Sequence, residues 1–195
     1  MDIEIKRQVV HAMGILNILV IHLLDKTYAA LFMLSVAIAF LFMGEYRKNK
    51  KKYKLLKSKQ LDEFEDVVED EFKTYERGKE TPFHGAITFY FGSFLATILF
   101  EPYIAIASIA VLALADSLST LVGYYFGKHK LPINKKKSWE GSTTFFVAAF
   151  AVLYFFADPV KALLIAVAVT FVEMLPKIDD NLTVPVSTGL LMFLL

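Results

Sequence analysis

The first residue that suggests chemistry is Asp116, a carboxylate inside an apolar segment that spans residues 103–126. An acid near the centre of a membrane-spanning helix costs about 2.5–3.5 kcal/mol on insertion scales, so such residues usually face a cavity or a partner. Small or polar residues follow it at helical spacing: Ser119, Thr120, Gly123 and Gly127. Such a face lets a metal, a phosphate or another backbone approach closely. We expect a functional role for Asp116, whereas the glycines by themselves favour helix packing.

A basic loop, GKHKLPINKKKSWEGS, follows this segment and ends where the next apolar segment begins. Ser138 and Ser142 are candidate N-caps there, and a helix N-terminus close to lysines suits phosphate oxygens. Gly141 would let a ligand approach the backbone, and Glu140 is a candidate metal or ribose contact. An ordinary positive-inside anchor explains the lysines equally well but leaves SWEGS unexplained. We therefore expect phosphate binding at this loop.

A third polar cluster lies near the end of the chain. Glu173 closes an apolar segment, and Pro176 prevents the helix from continuing. Asp179, Asp180 and Asn181 follow, and their oxygens are ligands of the kind that Mg²⁺ takes. Asp-Asp-Asn is also common turn chemistry, which would be the better interpretation if the cluster stood alone. Together with the other two clusters it predicts a metal site.

The elements that must position these residues are apolar helices. The chain has 195 residues, 56% of them hydrophobic, with no cysteine and a net charge of +1; its mean hydropathy is +0.50. This composition is typical of membrane proteins. A span needs about 20 residues, with about 17 as the lower end, so five to seven spans fit the lengths and we expect seven. The apolar segments are 9–24, 28–43, 84–100, 103–126, 141–157, 160–174 and 182–195.

The distribution of charge predicts the orientation. If the N-terminus is cytoplasmic, seven spans place 19 of the 21 Lys and Arg residues on the cytoplasmic side, and only Lys26 and Lys161 fall outside. This asymmetry is the one that a correct topology should show. We expect an all-α, polytopic transmembrane bundle that forms a single domain over residues 1–195.

The long polar insert, residues 44–82, is expected to be cytoplasmic. Apolar residues recur in it at helical spacing: Leu61, Phe64, Val68, Phe72 and Tyr75. An amphipathic helix there could lie on the lipid surface or pack on the cytoplasmic ends of the bundle. Acidic residues on its polar face favour the second interpretation.

The motifs of soluble nucleotide-binding proteins are missing, since there is no GxGxxG and the Walker-like GYYFGKH has the wrong spacing. Instead, ADSLSTLVGYYFGKHK, KKKSWEGS and VEMLPKIDDNLTVP resemble the integral-membrane lipid-alcohol kinases: dolichol kinase, phytol kinase and the CTP-dependent diacylglycerol kinase. The match covers residues 115–195, and the N-terminal EIKRQVVH resembles the opening of that family more loosely. The matching positions are Asp116, Gly123, Gly127, Lys137, Ser138, Glu140, Gly141, Ser142, Glu173, Asp180, Asn181 and Pro185.

This resemblance implies a kinase that uses CTP as phosphoryl donor and Mg²⁺ as cofactor. It implies as acceptor a lipid alcohol, dolichol or another polyprenol first, with phytol, geranylgeraniol or diacylglycerol as alternatives. Asp116 and Glu173 are the candidate catalytic residues, and the candidate metal ligands are Asp116, Asp179, Asp180 and Asn181. The candidate nucleotide-binding residues are Gly123, Gly127, Lys128, Lys135, Lys137, Ser138, Glu140, Gly141 and Ser142.

Two other functions stay open at this point. A cytidylyltransferase that makes a CDP-activated lipid would use the same donor, but its motif after the lysine loop differs from SWEGS. A transporter or membrane scaffold would need polar groups through the bilayer, and the outer loops hold little beyond Asp25, Glu101 and Asp158. The expected partners are membrane lipids and the two substrates, without nucleic acid, and a homodimer is one open option for the oligomeric state.

Overall fold

The structure is a computed structural model that describes residues 2–49, 82–175 and 179–195. Within these residues the chain forms seven continuous helical stretches and no strand, so the all-α class is confirmed for them. The first stretch joins α1 (Ile3–Ala12), a 3₁₀ turn (Met13–Leu16) and α2 (Asn17–Leu23). The next two are α3 (Lys26–Lys48) and α4 (His84–Leu99).

The fourth stretch joins α5 (Pro102–Ala110), a π-helical turn (Val111–Asp116) and α6 (Ser117–Phe126). The last three are α7 (Trp139–Leu153), α8 (Pro159–Glu173) and α9 (Asp180–Leu194). Each stretch coincides with one predicted apolar segment to within a few residues, apart from the first, which begins earlier. π-Helical turns are rare and are frequent at functional sites, and this one ends on Asp116.

Side chains and prolines set where several helices begin. Ser138 is the N-cap of α7 and accepts a hydrogen bond from the backbone N–H of Gly141 at 3.2 Å, as predicted. Ser142, the other candidate cap, lies inside α7. Asp158 caps α8 in the same way, and Pro102 stands at the first position of α5, where the missing N–H costs no hydrogen bond.

The hydrophobic core is formed by the helices of the second half of the chain together with α4. The π-helical turn and helices α7, α8 and α9 meet around Phe145, which is fully buried. Helix α4 packs against α3 on one side and α9 on the other. Gly92 permits the second contact, because a Cβ atom there would overlap the backbone carbonyl of Asn181. The start of α9, which carries the predicted acidic cluster, is therefore fixed against α4.

Two of the described helices are long and apolar enough to cross a membrane: Lys26–Lys48 and Pro102–Phe126, each with a mean hydropathy of 2.0. Many large apolar side chains also point outward, among them Leu23, Phe42 and Phe155, each more than 70% exposed. An exposed apolar surface of this kind favours contact with lipid. Seven spans and a cytoplasmic N-terminus stay predictions, and the predicted amphipathic helix of the insert lies outside the described residues.

Candidate functional site

One cavity of about 1300 Å³ collects most of the predicted site residues. It is lined by side chains from the first helical stretch, α4, α6, the basic loop, α7, α8 and α9. The predicted residues in its wall are Asp116, Gly123, Lys137, Ser138, Gly141, Ser142, Glu173, Asp179, Asp180 and Asn181. The predicted residues that do not line it are Gly127, Lys128, Lys135 and Glu140.

Lys137 links the basic loop to the acidic cluster. Its Nζ donates a hydrogen bond to Glu173 Oε1 at 2.6 Å and another to Asp180 Oδ2 at 2.9 Å. The second oxygen of Glu173 accepts a hydrogen bond from Ser142 Oγ at 3.0 Å. Burial lowers the pKa of Lys137, but the carboxylates of Asp180, Glu173 and Asp116 outweigh it and raise that pKa above its ordinary value. Lys137 therefore stays positively charged.

The acidic cluster at the start of α9 divides into two roles. Asp179 caps α9, because its Oδ1 accepts the backbone N–H of Asn181 at 2.9 Å, and its Oδ2 lies 2.9 Å from His84 Nε2. Burial and the neighbouring Asp180 raise the pKa of Asp179. For Asp180, burial raises the pKa, but Lys137 overcomes this and the net pKa is lowered. Asp180 is the member of the cluster that stays anionic beside Lys137.

Asp116 lies in the cavity wall and is almost fully buried. Its Oδ2 is 3.4 Å from Nε2 of His11, which comes from α1. The ring of His11 also meets the edge of Phe89, at 5.0 Å between centroids. The sequence connects His11 to this chemistry only through the loose N-terminal resemblance, because no spacing rule relates residues 105 positions apart. In the folded chain, His11 and Asp116 are nevertheless neighbours.

The N-terminus of α7 is less open to a phosphate than the sequence suggested. Ser138 Oγ accepts the N–H of Gly141, Ser138 O accepts the N–H of Ser142, and His129 O accepts the N–H of Trp139. A phosphate would have to compete with these bonds. Gly141 also lies close to another helix, since a Cβ there would lie 3.0 Å from the carbonyl oxygen of Ser119. The glycine therefore permits close helix packing, and the approach of a ligand to its backbone stays a prediction.

Glu140 closes the basic loop on itself. Its Oε1 lies 2.7 Å from His129 Nδ1 and accepts the backbone N–H groups of Lys128 and His129 at 3.3 and 3.2 Å. The backbone N–H of Glu140 itself and the His129 side chain hold the pKa of Glu140 at about 2. This carboxylate fixes the loop from outside the cavity, and its predicted metal or ribose contact stays a prediction.

Of the cations that the sequence singled out, only Lys137 lines the cavity. Arg7 from α1 and Lys130, Lys136 and Lys137 from the basic loop contribute to its wall. Arg7 is oriented by Glu4, which is buried and lies 3.4 Å from Arg7 Nη1. Lys128 and Lys135 are exposed. Cationic side chains form strong, charge-assisted hydrogen bonds with phosphate oxygens. The cluster therefore suits a phosphate ester as ligand.

The oxygen donors of the cavity fit a Mg²⁺ ion only when phosphates complete its ligands. Among the described residues, no group of three or more histidine or acidic side chains could hold a metal by itself. Mg²⁺ is usually bound by one or two carboxylates together with waters and substrate phosphates. Asp116 and Asp180 supply carboxylates, and buried Asn181 Oδ1 has no hydrogen-bond partner among the described residues. This donor set is suited to a metal–phosphate complex.

Comparisons with known proteins agree with the motifs. A Glycine max protein named probable phytol kinase 2, chloroplastic, is 37% identical over 113 residues, which cover 49% of this chain and 39% of that protein. The farnesol kinase, chloroplastic, of Arabidopsis thaliana is 40% identical over 109 residues, 47% of this chain and 36% of that protein. The phytol kinase 1, chloroplastic, of the same plant is 30% identical over 112 residues, 48% and 37%.

The matched part thus spans well under two thirds of the length of these relatives. No family model and no solved structure matches the chain. The resemblance to the lipid-alcohol kinases is nevertheless confirmed: over about half of its length, this chain is a relative of proteins named phytol kinase and farnesol kinase.

Proposed function

We propose that this protein transfers the γ-phosphoryl group of CTP to the hydroxyl of an isoprenoid alcohol, with Mg²⁺ as cofactor, at the cytoplasmic face of a membrane. The names of the relatives favour an acceptor such as farnesol, geranylgeraniol or phytol over dolichol and diacylglycerol. CTP and the cytoplasmic face come from the motif resemblance and from the positive-inside pattern of the lysines.

The observation that carries this proposal is the composition of the cavity. Asp116, Lys137, Glu173 and Asp180 share it with apolar side chains of the first helical stretch and of α4. Its volume of about 1300 Å³ exceeds the roughly 300–1,000 Å³ of a usual single-ligand pocket. There is room for a nucleotide and an alcohol side by side, which a direct transfer between them requires.

The cationic side chains bind the triphosphate. Arg7, Lys130, Lys136 and Lys137 line the cavity, and phosphoryl transfer depends mainly on positioning the phosphates and neutralising their charge. Glu173 has both oxygens engaged by Lys137 and Ser142, so it positions Lys137 and does not contact the reacting hydroxyl. Asp180 and Asn181 would hold Mg²⁺ together with phosphate oxygens, and the ion would supply charge neutralisation.

Asp116 orients the lipid hydroxyl. It lies beside His11, whose ring contacts the apolar wall at Phe89, and so it stands between the polar and apolar parts of the cavity. The hydroxyl oxygen attacks the γ-phosphorus, the bond from that phosphorus to the β-phosphate oxygen breaks, and CDP leaves. The hydroxyl proton passes to the carboxylate of Asp116 and then to solvent. The products are the alkyl monophosphate, CDP and a proton.

The test uses the purified full-length chain in lipid nanodiscs with Mg²⁺ and either CTP or ATP. Farnesol, geranylgeraniol, phytol, dolichol and diacylglycerol are offered in turn, and CDP, pyrophosphate and lipid phosphate are measured. We expect CDP and an isoprenyl phosphate in equal amounts with CTP. Release of pyrophosphate with a CDP-lipid would instead identify a cytidylyltransferase, and no turnover of any alcohol would remove the kinase proposal.

Asp116→Asn should lower kcat by about 100-fold or more, because a residue that accepts the substrate proton contributes about 10²–10⁴-fold. Asp158→Asn is the matched control, since Asp158 caps α8 and asparagine caps a helix equally well. We expect the control to keep full activity. If Asp116→Asn retained normal turnover, the role of Asp116 would be wrong.

A further inference from the structure

The cavity continues from the polar cluster into an apolar groove between the first helical stretch and α4. Val10, Met13, Gly14 and Leu16 line it on one side, and Phe89 and Tyr90 line it on the other. These two sides are joined at His11, which lies 3.4 Å from Asp116 and 5.0 Å, ring to ring, from Phe89. The groove therefore begins where the proposed reaction takes place.

The groove is open to the side of the molecule. Val10, Met13 and Leu16 line the cavity, yet each is more than half exposed. The apolar lining of the first helical stretch extends from Val10 to Leu16, which at 1.5 Å per residue is about 9 Å. An elongated apolar ligand could lie along this length and still leave the protein laterally, toward lipid.

Gly14 and Phe89 are the residues at which the two sides of the groove touch. The ring of Phe89 packs directly on the backbone at Gly14, so a Cβ atom at this position would overlap three atoms of the ring. Phe89 itself is buried and leans edge-on against Tyr90, with 5.8 Å between ring centroids. Any side chain at residue 14 must therefore push this ring out of its place in the groove wall.

We propose that the groove between Val10–Leu16 and Phe89 binds the isoprenyl chain of the alcohol, and that Gly14 and Phe89 determine which chain lengths it accepts. This inference rests on the proposed kinase function, because it takes Asp116 as the position of the hydroxyl. A chain whose hydroxyl is at Asp116 passes His11 first, then the Gly14–Phe89 contact. Long alcohols extend farther along that contact than short ones do.

The first experiment compares geraniol, farnesol and geranylgeraniol as substrates of Gly14→Ala in nanodiscs. We expect kcat/KM for geranylgeraniol to fall about tenfold, from overpacking of the groove, while kcat/KM for geraniol changes less than twofold. Adding Phe89→Leu to Gly14→Ala should restore geranylgeraniol, because the smaller side chain leaves room for the new methyl group.

Gly189→Ala is the matched control. A Cβ at Gly189 would overlap the ring of Phe100 in the same manner, but neither residue lines the cavity. This variant should lower kcat/KM for the three alcohols equally or not at all. If Gly14→Ala and Gly189→Ala had the same profile over the three chain lengths, the groove would not select chain length.

A second readout is independent of turnover. A farnesol analogue with a diazirine at the far end of its chain is photo-cross-linked to the wild-type protein and mapped by peptide mass spectrometry. We expect labelling within residues 10–17 and 83–90, weakened in Gly14→Ala and unchanged in Gly189→Ala. Labelling of the groove without phosphorylation of any alcohol would end the kinase proposal and keep the groove. Phosphorylation of farnesol with labelling on another surface would end the groove proposal alone.

Discussion

The ammonium group of Lys137 is a largely buried charge that is paired with acids at the candidate site. Its ammonium group is bound by two carboxylates, Glu173 and Asp180, and only about a fifth of its side chain is exposed. Because the lysine faces two acids, the cluster without ligands carries an excess of negative charge. A divalent cation that arrives with a triphosphate would relieve this excess and let Lys137 turn to the phosphates.

The same cluster predicts a pH-dependent stability. Asp180, with a lowered pKa, contributes stability above its ordinary pKa of 3.8, and this is lost as the pH falls through the folded-state value. Lys137, with a raised pKa, contributes stability below 10.5, and this is lost as the pH rises through its folded-state value. The pair is therefore fully ionised and stabilising between about pH 4 and pH 10.

Lys137→Met should destabilise the protein by about 3 kcal/mol at neutral pH, because it leaves the buried Glu173 and the half-buried Asp180 without their cation. Without Lys137, burial raises the pKa of Asp180, so the loss of stability should shrink on acidification toward pH 4 as Asp180 takes up a proton. Melting temperatures measured in detergent between pH 4 and pH 8 check this. Lys135→Met, an exposed lysine in the same loop, is the control. A deficit that is constant with pH would contradict the ionic role.

At the residue scale, the sequence predicted the acids better than the cations. Asp116, Glu173 and Asp180 stand out because acids in or beside apolar segments are rare. Which lysine faces inward depends on the path of the basic loop, which is set by bonds such as Leu131 N–H to Lys137 O. No local pattern encodes that path, so Lys130 and Lys136 were missed as lining residues.

At the scale of elements, close contacts between helices set the position of the acidic cluster. Gly92 of α4 lets the start of α9 lie directly on its backbone. The contact is reinforced by Asn181 Nδ2, which donates a hydrogen bond to Thr88 Oγ1 at 3.1 Å. The placement of Asp180 thus depends on a helix that precedes it by about ninety residues.

Gly92→Ala should therefore destabilise the protein by about 1–3 kcal/mol, the usual cost of overpacking, and lower activity by displacing α9. Gly85, on the same helix, is the matched control, because a Cβ there meets nothing within 4 Å. Gly85→Ala should leave stability unchanged or raise it by about 0.5–1 kcal/mol. The melting temperatures of the two variants test this prediction. Equal values would argue against the close contact between Gly92 and the start of α9.

Helix positions were readable from the sequence, whereas helix neighbours were not. Seven apolar segments predicted seven helical stretches, and Ser138 was correctly identified as an N-cap, because periodicity and capping are local properties. The π-helical turn before Asp116 and the packing of α1 against α6 have no local signal. These two features bring His11 to Asp116, and Arg7 lines the cavity from the same helix.

At the scale of the whole molecule, the predicted topology can be tested directly. The chain contains no cysteine, so any cysteine introduced is a unique label. We expect Lys135→Cys to react with a membrane-impermeant maleimide only from the cytoplasmic side, and Lys161→Cys only from the opposite side. Labelling is measured in right-side-out and in inverted vesicles, which expose opposite faces of the protein to the reagent. In vesicles opened with detergent, both cysteines should be labelled fully. Reaction of both residues from one side would disprove the seven-span arrangement.

The assembly of the cavity from the first and last helical stretches has a consequence during protein synthesis. His11 leaves the ribosome early, whereas Asp180 and Asn181 leave it late, and all three line one cavity. A partially made chain already inserted in lipid therefore lacks Asp180 and Asn181, which the proposed function assigns to Mg²⁺ binding. If the proposed kinase function is right, chains terminated before Asp180 should therefore be unable to turn over nucleotide.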